Sequence, residues 1–126
     1  MDTLIERHTL ITSSPRTLRW LREIKFRIER EIPSLRYGES KYWASFRNPE
    51  TNRNVVYLQP QRNKIRLLTR LDPSFDSSLQ PTPSSSGWKE MYPSIFLITS
   101  ENLIDKAVDL IRASYNEDRR RWRINM

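Results

Sequence analysis

Apolar residues recur at spacings of three and four over residues 15–32, which predicts an amphipathic helix. One stripe of that helix, which must be buried, carries Leu18, Leu21, Ile24, Ile28 and Ile32. Ser14 suits the N-cap, and Pro15 suits the first helical position, where a missing N–H costs nothing. Pro33 ends the helix, because the residue before a proline is disfavoured in the α region.

Three segments with strand character follow, at 42–46, 55–59 and 65–71. The third alternates clearly: one face carries Ile65, Leu67, Thr69 and Leu71, and the other carries Arg66, Leu68 and Arg70. The polar links between the segments are short, and connections of this length join antiparallel strands. We therefore predict a meander with one face on the helices and the other facing water or a ligand.

The back of the chain begins with a Ser/Pro-rich stretch without periodicity, at 72–87, which we predict to be a mobile loop. A buried strand is predicted at 95–98, and Ser100 is the predicted cap of a second helix. The inward stripe of that helix carries Leu103, Ile104, Ala107, Leu110, Ile111 and Ser114. Polar residues at 116–118 mark its predicted end, and a basic tail follows at 119–126.

These elements predict an α+β fold: a single antiparallel sheet, made of the meander and one further strand, packed by an N-terminal and a C-terminal helix. One domain spans 1–118, and the basic tail at 119–126 lies outside it. The chain has 126 residues, a length that suits one domain.

Composition excludes several classes of site. The chain has no cysteine, one histidine and two glycines, so thiolate chemistry, a histidine metal cluster, a Walker loop and a dinucleotide fingerprint are all excluded. His8 is predicted to be a hydrogen-bonded structural residue. No signal peptide opens the chain and no apolar run could span a membrane, so we expect a cytoplasmic protein without membrane contact, cofactor or metal.

The net charge of +7 is unevenly distributed. Residues 36–70 carry eight cations against two carboxylates, and 71–118 carry eight carboxylates against three cations. Four arginines follow in 119–126. A field polarised in this way attracts a polyanion to one side of the molecule.

Several stretches resemble motifs of a known family. Lys41–Arg47 resembles a K-Y-I-A-F-K strand, and Val56–Leu67 resembles an I-Q-P-x-K-x-x-L-R-L hairpin. Gly87-Trp88 and Phe96–Asp105 resemble a G-W … F-x-L-x-S-x-E-D-L-D segment, and Leu110–Tyr115 resembles the L-I-x-x-S-Y end of its helix. The family is a small uncharacterised domain found alone or appended to nuclease-like and restriction-type proteins, sometimes labelled "predicted transport protein". Its layout is similar to that of YjbR-like double-wing proteins. The resemblance implies a frataxin-like layout and a nucleic-acid context, and it implies no catalytic residues.

The leading functional hypothesis is a non-enzymatic module that binds DNA or RNA through backbone phosphates. Cations neutralise phosphates, and aromatic rings can stack on unpaired bases. The predicted binding residues on the meander are Lys41, Trp43, Arg47, Tyr57, Arg62, Lys64, Arg66 and Arg70. The tail adds Arg119, Arg120, Arg121 and Arg123. Contact with about six phosphates would give a log–log salt slope near −5 on duplex DNA.

Two alternatives remain open. Glu39-Ser40-Lys41 is an E-x-K string like that of restriction-type nucleases, but such a site needs a second acid, for which only Glu29 and Glu31 are available upstream. A protein-interaction module serving a larger nuclease or defence-type assembly is the other alternative. It would use Phe75 and Leu79, expected to be exposed on the loop, together with Trp88 and Trp122.

Overall fold

In a computed structural model, residues 12–124 are described, with side chains up to Trp122. Two helices and six strands are present: α1 Pro15–Glu31, β1 Arg36–Glu39, β2 Ala44–Asn48, β3 Arg53–Pro60, β4 Ile65–Thr69, β5 Gln80–Pro81, β6 Ser94–Ile98 and α2 Ile104–Ile124. Short 3-10 turns stand at Pro73–Phe75 and Glu101–Leu103. His8, predicted to be a hydrogen-bonded structural residue, lies outside the described residues.

The start of α1 is confirmed. Ser14 and Thr17 form a capping box, in which the Thr17 N–H donates to Ser14 Oγ at 3.2 Å and the Ser14 N–H donates to Thr17 Oγ1 at 3.0 Å. Two otherwise unpaired backbone donors are satisfied in this way. The stripe that includes Leu21, Ile24 and Ile28 is buried against the sheet.

The sheet is antiparallel throughout, with strand order β1-β2-β3-β4-β6-β5, and the predicted α+β architecture is confirmed. Both helices contact one face of it. Along one row of that face Leu58 lies opposite Leu67, and Leu67 lies opposite Phe96. The sequence pattern did not indicate β1 or the two-residue β5, because neither has an apolar alternation.

The second helix does not end at 116–118, so that prediction is wrong. α2 continues to Ile124, and the expected tail begins as helix. Two features hold the extra turns: Asp118 is fully buried, and Glu117 pairs with Arg121 four residues on. The polar residues at 116–118 are compatible with a helix, since none of them is a glycine or a proline.

The segment between β4 and β6 folds back over the sheet. Its β5 pairs with β6, and Leu79, expected to be exposed, is only 6% exposed and belongs to the core. Trp88 and Tyr92 lie on the face of the sheet away from the helices, here called the outer face. This face was expected to meet water or a ligand, but over its middle rows side chains of the same chain pack against it. No helix in residues 12–124 combines the length and apolar character needed to cross a membrane.

Candidate nucleic-acid interface

One end of the sheet brings together the β3–β4 turn and the first turn of α1. Ser14 Oγ donates to the Arg62 carbonyl at 2.7 Å, and Thr12 Oγ1 donates to the Pro60 carbonyl at 2.7 Å. Arg16 Nη2 donates to Asn63 Oδ1 at 3.4 Å. The β1–β2 turn, closed by a 2.8 Å bond from the Ser40 N–H to the Trp43 carbonyl, lies at the same end.

We call this region the hairpin end and define it by the cations Arg16, Lys41, Arg62, Lys64 and Arg66. Arg16, Lys41 and Arg62 are exposed, and Lys64 and Arg66 are half-buried. Arg66 is held by a 2.9 Å hydrogen bond from its Nη1 to Gln59 Oε1, a neutral partner. Within the part of the chain that the structure describes, none of the five forms an ion pair.

One carboxylate limits this surface on the α2 side. Glu101 lines a shallow depression of about 410 Å³ together with Arg16, Arg19 and Trp20. The Arg16 guanidinium lies 5.4 Å from the centre of the Trp20 ring, which is itself buried. The cationic surface therefore runs from β4 across the turn to the first turn of α1, and an acid lies where α2 begins.

Trp43 and Tyr57, the predicted stacking residues, belong to an aromatic cover on the outer face. The cover is defined by Trp43, Tyr57, Trp88 and Tyr92. The ring of Trp43 lies 5.9 Å from that of Tyr57 and 5.2 Å from that of Trp88, and Tyr57 lies 5.2 Å from Tyr92. These pairs have the tilted and edge-to-face geometries that stabilise packed aromatic clusters.

The opposite end of the sheet is organised around a buried carboxylate. Asp118, fully buried on α2, pairs through Oδ1 with Arg53 Nη2 at 2.9 Å and with Arg70 Nε at 3.5 Å. Its Oδ2 accepts hydrogen bonds from Thr51 Oγ1 at 2.6 Å and Asn48 Nδ2 at 3.2 Å. We call this group the Asp118 end.

Arg70 is therefore not part of a wet basic surface, and that prediction is wrong. Its side chain is 4% exposed, and its Nε also donates to the Asn54 carbonyl at 3.2 Å. Burial lowers the pKa of its guanidinium, and this effect is opposed by the nearby Tyr92 and Asp118. The Tyr92 hydroxyl donates to the same carbonyl at 2.7 Å, and burial raises the pKa of Tyr92 to about 12.

The remaining predicted cations also lie away from the hairpin end. Arg47 pairs with Asn54 in the β2–β3 register, and Gln59 pairs with Arg66 in β3–β4. The offset of five residues from Asn54 to Gln59 separates the two arginines by about 16 Å along the strand direction. Arg47 is exposed and its Nη1 donates to Asn52 Oδ1 at 3.1 Å.

The C-terminal arginines lie in α2 beyond Asp118. Arg120 and Arg121 both pair with Glu117 at 2.7 Å, and the Arg119 guanidinium lies 5.4 Å from the Tyr115 ring centre. The side chain of Arg123 is outside the described part. The described cations of the predicted set therefore divide between two ends of the sheet, about 23 Å apart along the eight residues of β3.

Within residues 12–124, both candidate second acids of the E-x-K string are already paired with cations. Glu39 accepts a hydrogen bond from the Tyr37 hydroxyl at 2.7 Å, while Glu29 pairs with Lys25 and Glu31 pairs with Arg112. Across residues 12–124, no three His, Cys, Asp or Glu side chains gather closely enough to hold a metal ion. The structure therefore adds no support to the nuclease hypothesis.

The meander-based prediction missed one member of the hairpin end, Arg16. The sequence does show that Arg16 lies in the first turn of the predicted helix. The docking of Ser14 on Arg62, however, is a contact across 48 residues, which local pattern does not reveal.

The chain matches no protein-family model, no curated protein and no solved structure. The resemblance to the small uncharacterised domain family, with a layout similar to that of double-wing proteins, stays a prediction.

Proposed function

We propose that the protein binds nucleic acid through backbone phosphates at the hairpin end, without catalysing a reaction. One observation carries this proposal: five cations from α1, the β1–β2 turn and the β3–β4 hairpin share one end of the sheet without an ion pair in the described residues. Uncompensated surface cations attract polyanions and release the condensed counterions of nucleic acid on contact.

The arginines outside the hairpin end that pair with carboxylates also favour the hairpin end as the binding surface. Arg53 and Arg70 are neutralised by Asp118, and Arg120 and Arg121 by Glu117. A cation that already has a carboxylate partner contributes less to phosphate binding, because that partner repels the phosphate. The cytoplasmic location expected from the sequence belongs to this proposal as well.

The size of the effect follows from the number of contacts. If all five cations of the hairpin end contact phosphates, the logarithm of the affinity falls against the logarithm of salt concentration with a slope of about −4.5 on duplex DNA. Affinity for single strands falls with a slope of about −3.5. A salt titration therefore counts the contacts directly.

The test compares two double charge reversals. Arg62→Glu with Lys64→Glu removes binding to a panel of short DNA and RNA duplexes and single strands, since it places two carboxylates at the hairpin tip. Arg36→Glu with Lys89→Glu is the matched control, because both side chains are exposed and lie outside the hairpin end. Absence of binding by the unmodified chain to every member of the panel at low salt would refute the proposal. Equal losses in the two variants would refute its location.

A second candidate function rests on an exposed aromatic ring. Phe75 is 57% exposed beside a groove of about 540 Å³ between the turn at Pro73–Phe75 and α2, with Leu71 and Ala113 in its lining. Such a ring beside an open groove is typical of a protein-docking anchor. Capture of a partner from cell extract that Phe75→Ser abolishes would favour this function, and a monomer with no captured partner would exclude it.

A further inference from the structure

We infer that the nucleic acid bound at the hairpin end is double-stranded, an inference that rests on the proposed function. Proteins that hold single strands combine a basic groove with ring faces on which successive bases stack. The cations of the hairpin end could contact the phosphates of a single strand or of a duplex. The rings near them therefore decide which partner fits.

The rings adjoining Arg66 are already occupied by one another. Trp43 contacts Tyr57 and Trp88, and Tyr57 also contacts Trp88 at 5.6 Å. The Tyr57 hydroxyl accepts a 2.8 Å hydrogen bond from Asn54 Nδ2, which fixes the ring further. The three rings are half-buried and pack against one another, so they leave little ring surface on which successive bases could stack.

Within the described part of the chain, Tyr42 is the one exposed ring in the turns of the hairpin end. It is 40% exposed, and the Lys41 ammonium lies 5.6 Å from its ring centre. Trp20, beside Arg16, is only 6% exposed. One exposed ring offers a place for one base, whereas binding along a single strand needs a series of them.

The distribution of the cations favours a duplex as well. They stand on a helix, a strand and two tight turns, so their spacing is held by backbone rather than by a flexible loop. A duplex carries one negative charge per 1.7 Å of its axis, and a single strand carries one per about 3.4 Å. A cluster of fixed charges neutralises more phosphates on the denser partner.

The experiment measures the affinity of the full chain for a short duplex and for its own component strand at the same salt concentration, with DNA and with RNA. At about 0.1 M salt the duplex of at least one chemistry binds roughly tenfold more tightly than its strand, since its slope is steeper by about 1 and the two affinities converge toward about 1 M salt. Tyr42→Ala leaves both affinities unchanged, as does Phe26→Ala, which removes an exposed ring from α1.

Two results would overturn the inference while leaving the proposed function standing. One is equal or tighter binding of the single strand. The other is a loss of affinity in Tyr42→Ala that Phe26→Ala does not share, because that ring would then stack on a base. Failure to bind any duplex or strand at low salt would instead refute the proposed function itself.

Discussion

The hairpin end and the Asp118 end are built from the same strands, yet they treat their cations in opposite ways. At one end Arg66 lies beside a glutamine and a solvent-facing turn; at the other, Arg70 is buried against the carboxylate of α2. The two arginines are four residues apart on the same alternating face. Arg70 differs from Arg66 because Asp118, on α2, packs against it. Asp118 comes from a different part of the chain.

The largest expected effect is on stability at the Asp118 end. Asp118→Ala leaves Arg70 buried without its carboxylate and removes the acceptor of Thr51 and Asn48, so we expect a loss of about 3–5 kcal/mol in the free energy of unfolding. Urea denaturation measures it.

Asp109→Ala is the matched control on the same helix, because the Asp109 side chain is 69% exposed and pairs only at the surface with Arg112. It changes the free energy of unfolding by no more than about 0.5 kcal/mol. Equal effects of the two substitutions would show that the buried network contributes nothing of its own.

The next effect concerns Tyr92, which bridges the aromatic cover and the Asp118 end. Tyr92→Phe removes the hydrogen bond to the Asn54 carbonyl and costs about 1 kcal/mol. The raised pKa of Tyr92, about 12, adds a pH dependence. An unfolded tyrosine has a pKa of about 10. The contribution of Tyr92 to the free energy of unfolding is therefore complete below about pH 10 and is lost as the pH rises toward 12.

Urea denaturation of the unmodified chain and of Tyr92→Phe across this alkaline range checks the direction. The difference in stability between them shrinks as the pH rises. Tyr42→Phe, at an exposed ring, is the control and leaves stability unchanged. A difference that stays constant would contradict the account of Tyr92.

A smaller effect distinguishes two arginines on the outer side of the sheet. Arg66→Gln reduces the salt slope of nucleic-acid binding by about 0.9, the amount for one phosphate contact. Arg47→Gln, which removes the same charge about 16 Å farther along the strand direction, leaves the slope unchanged. A loss of the same size in both would extend the interface over the whole outer face.

Local pattern was sufficient for much of the fold. The three-and-four spacing of Leu18, Leu21 and Ile24 identified α1, because that helix is buried on one side only. Three of the meander strands, β2, β3 and β4, were found from short polar turns and β-branched residues. The strand β1 was missed because its four residues, Arg36–Glu39, pair at a sheet edge without an apolar alternation.

The candidate site could be predicted only in part. Lys41, Arg62, Lys64 and Arg66 share one end, whereas Arg47 and Arg70, predicted on the same surface, do not. Arg70 could not be assigned correctly, since its partner Asp118 lies 48 residues later and reaches it only through the packing of α2. The role of Trp43 in the aromatic cover depends on Trp88, another contact that requires the folded chain.

The most direct measurement compares two triple variants that each remove three positive charges. One carries Arg62→Gln, Lys64→Gln and Arg66→Gln; the other carries Arg119→Gln, Arg120→Gln and Arg121→Gln. The affinity of each for one duplex is titrated against salt. We predict that the slope becomes shallower by about 2.7 in the first variant and stays at the value of the unmodified chain in the second. Equal changes in both would show that binding follows net charge alone, and would contradict the assignment of the interface to the hairpin end.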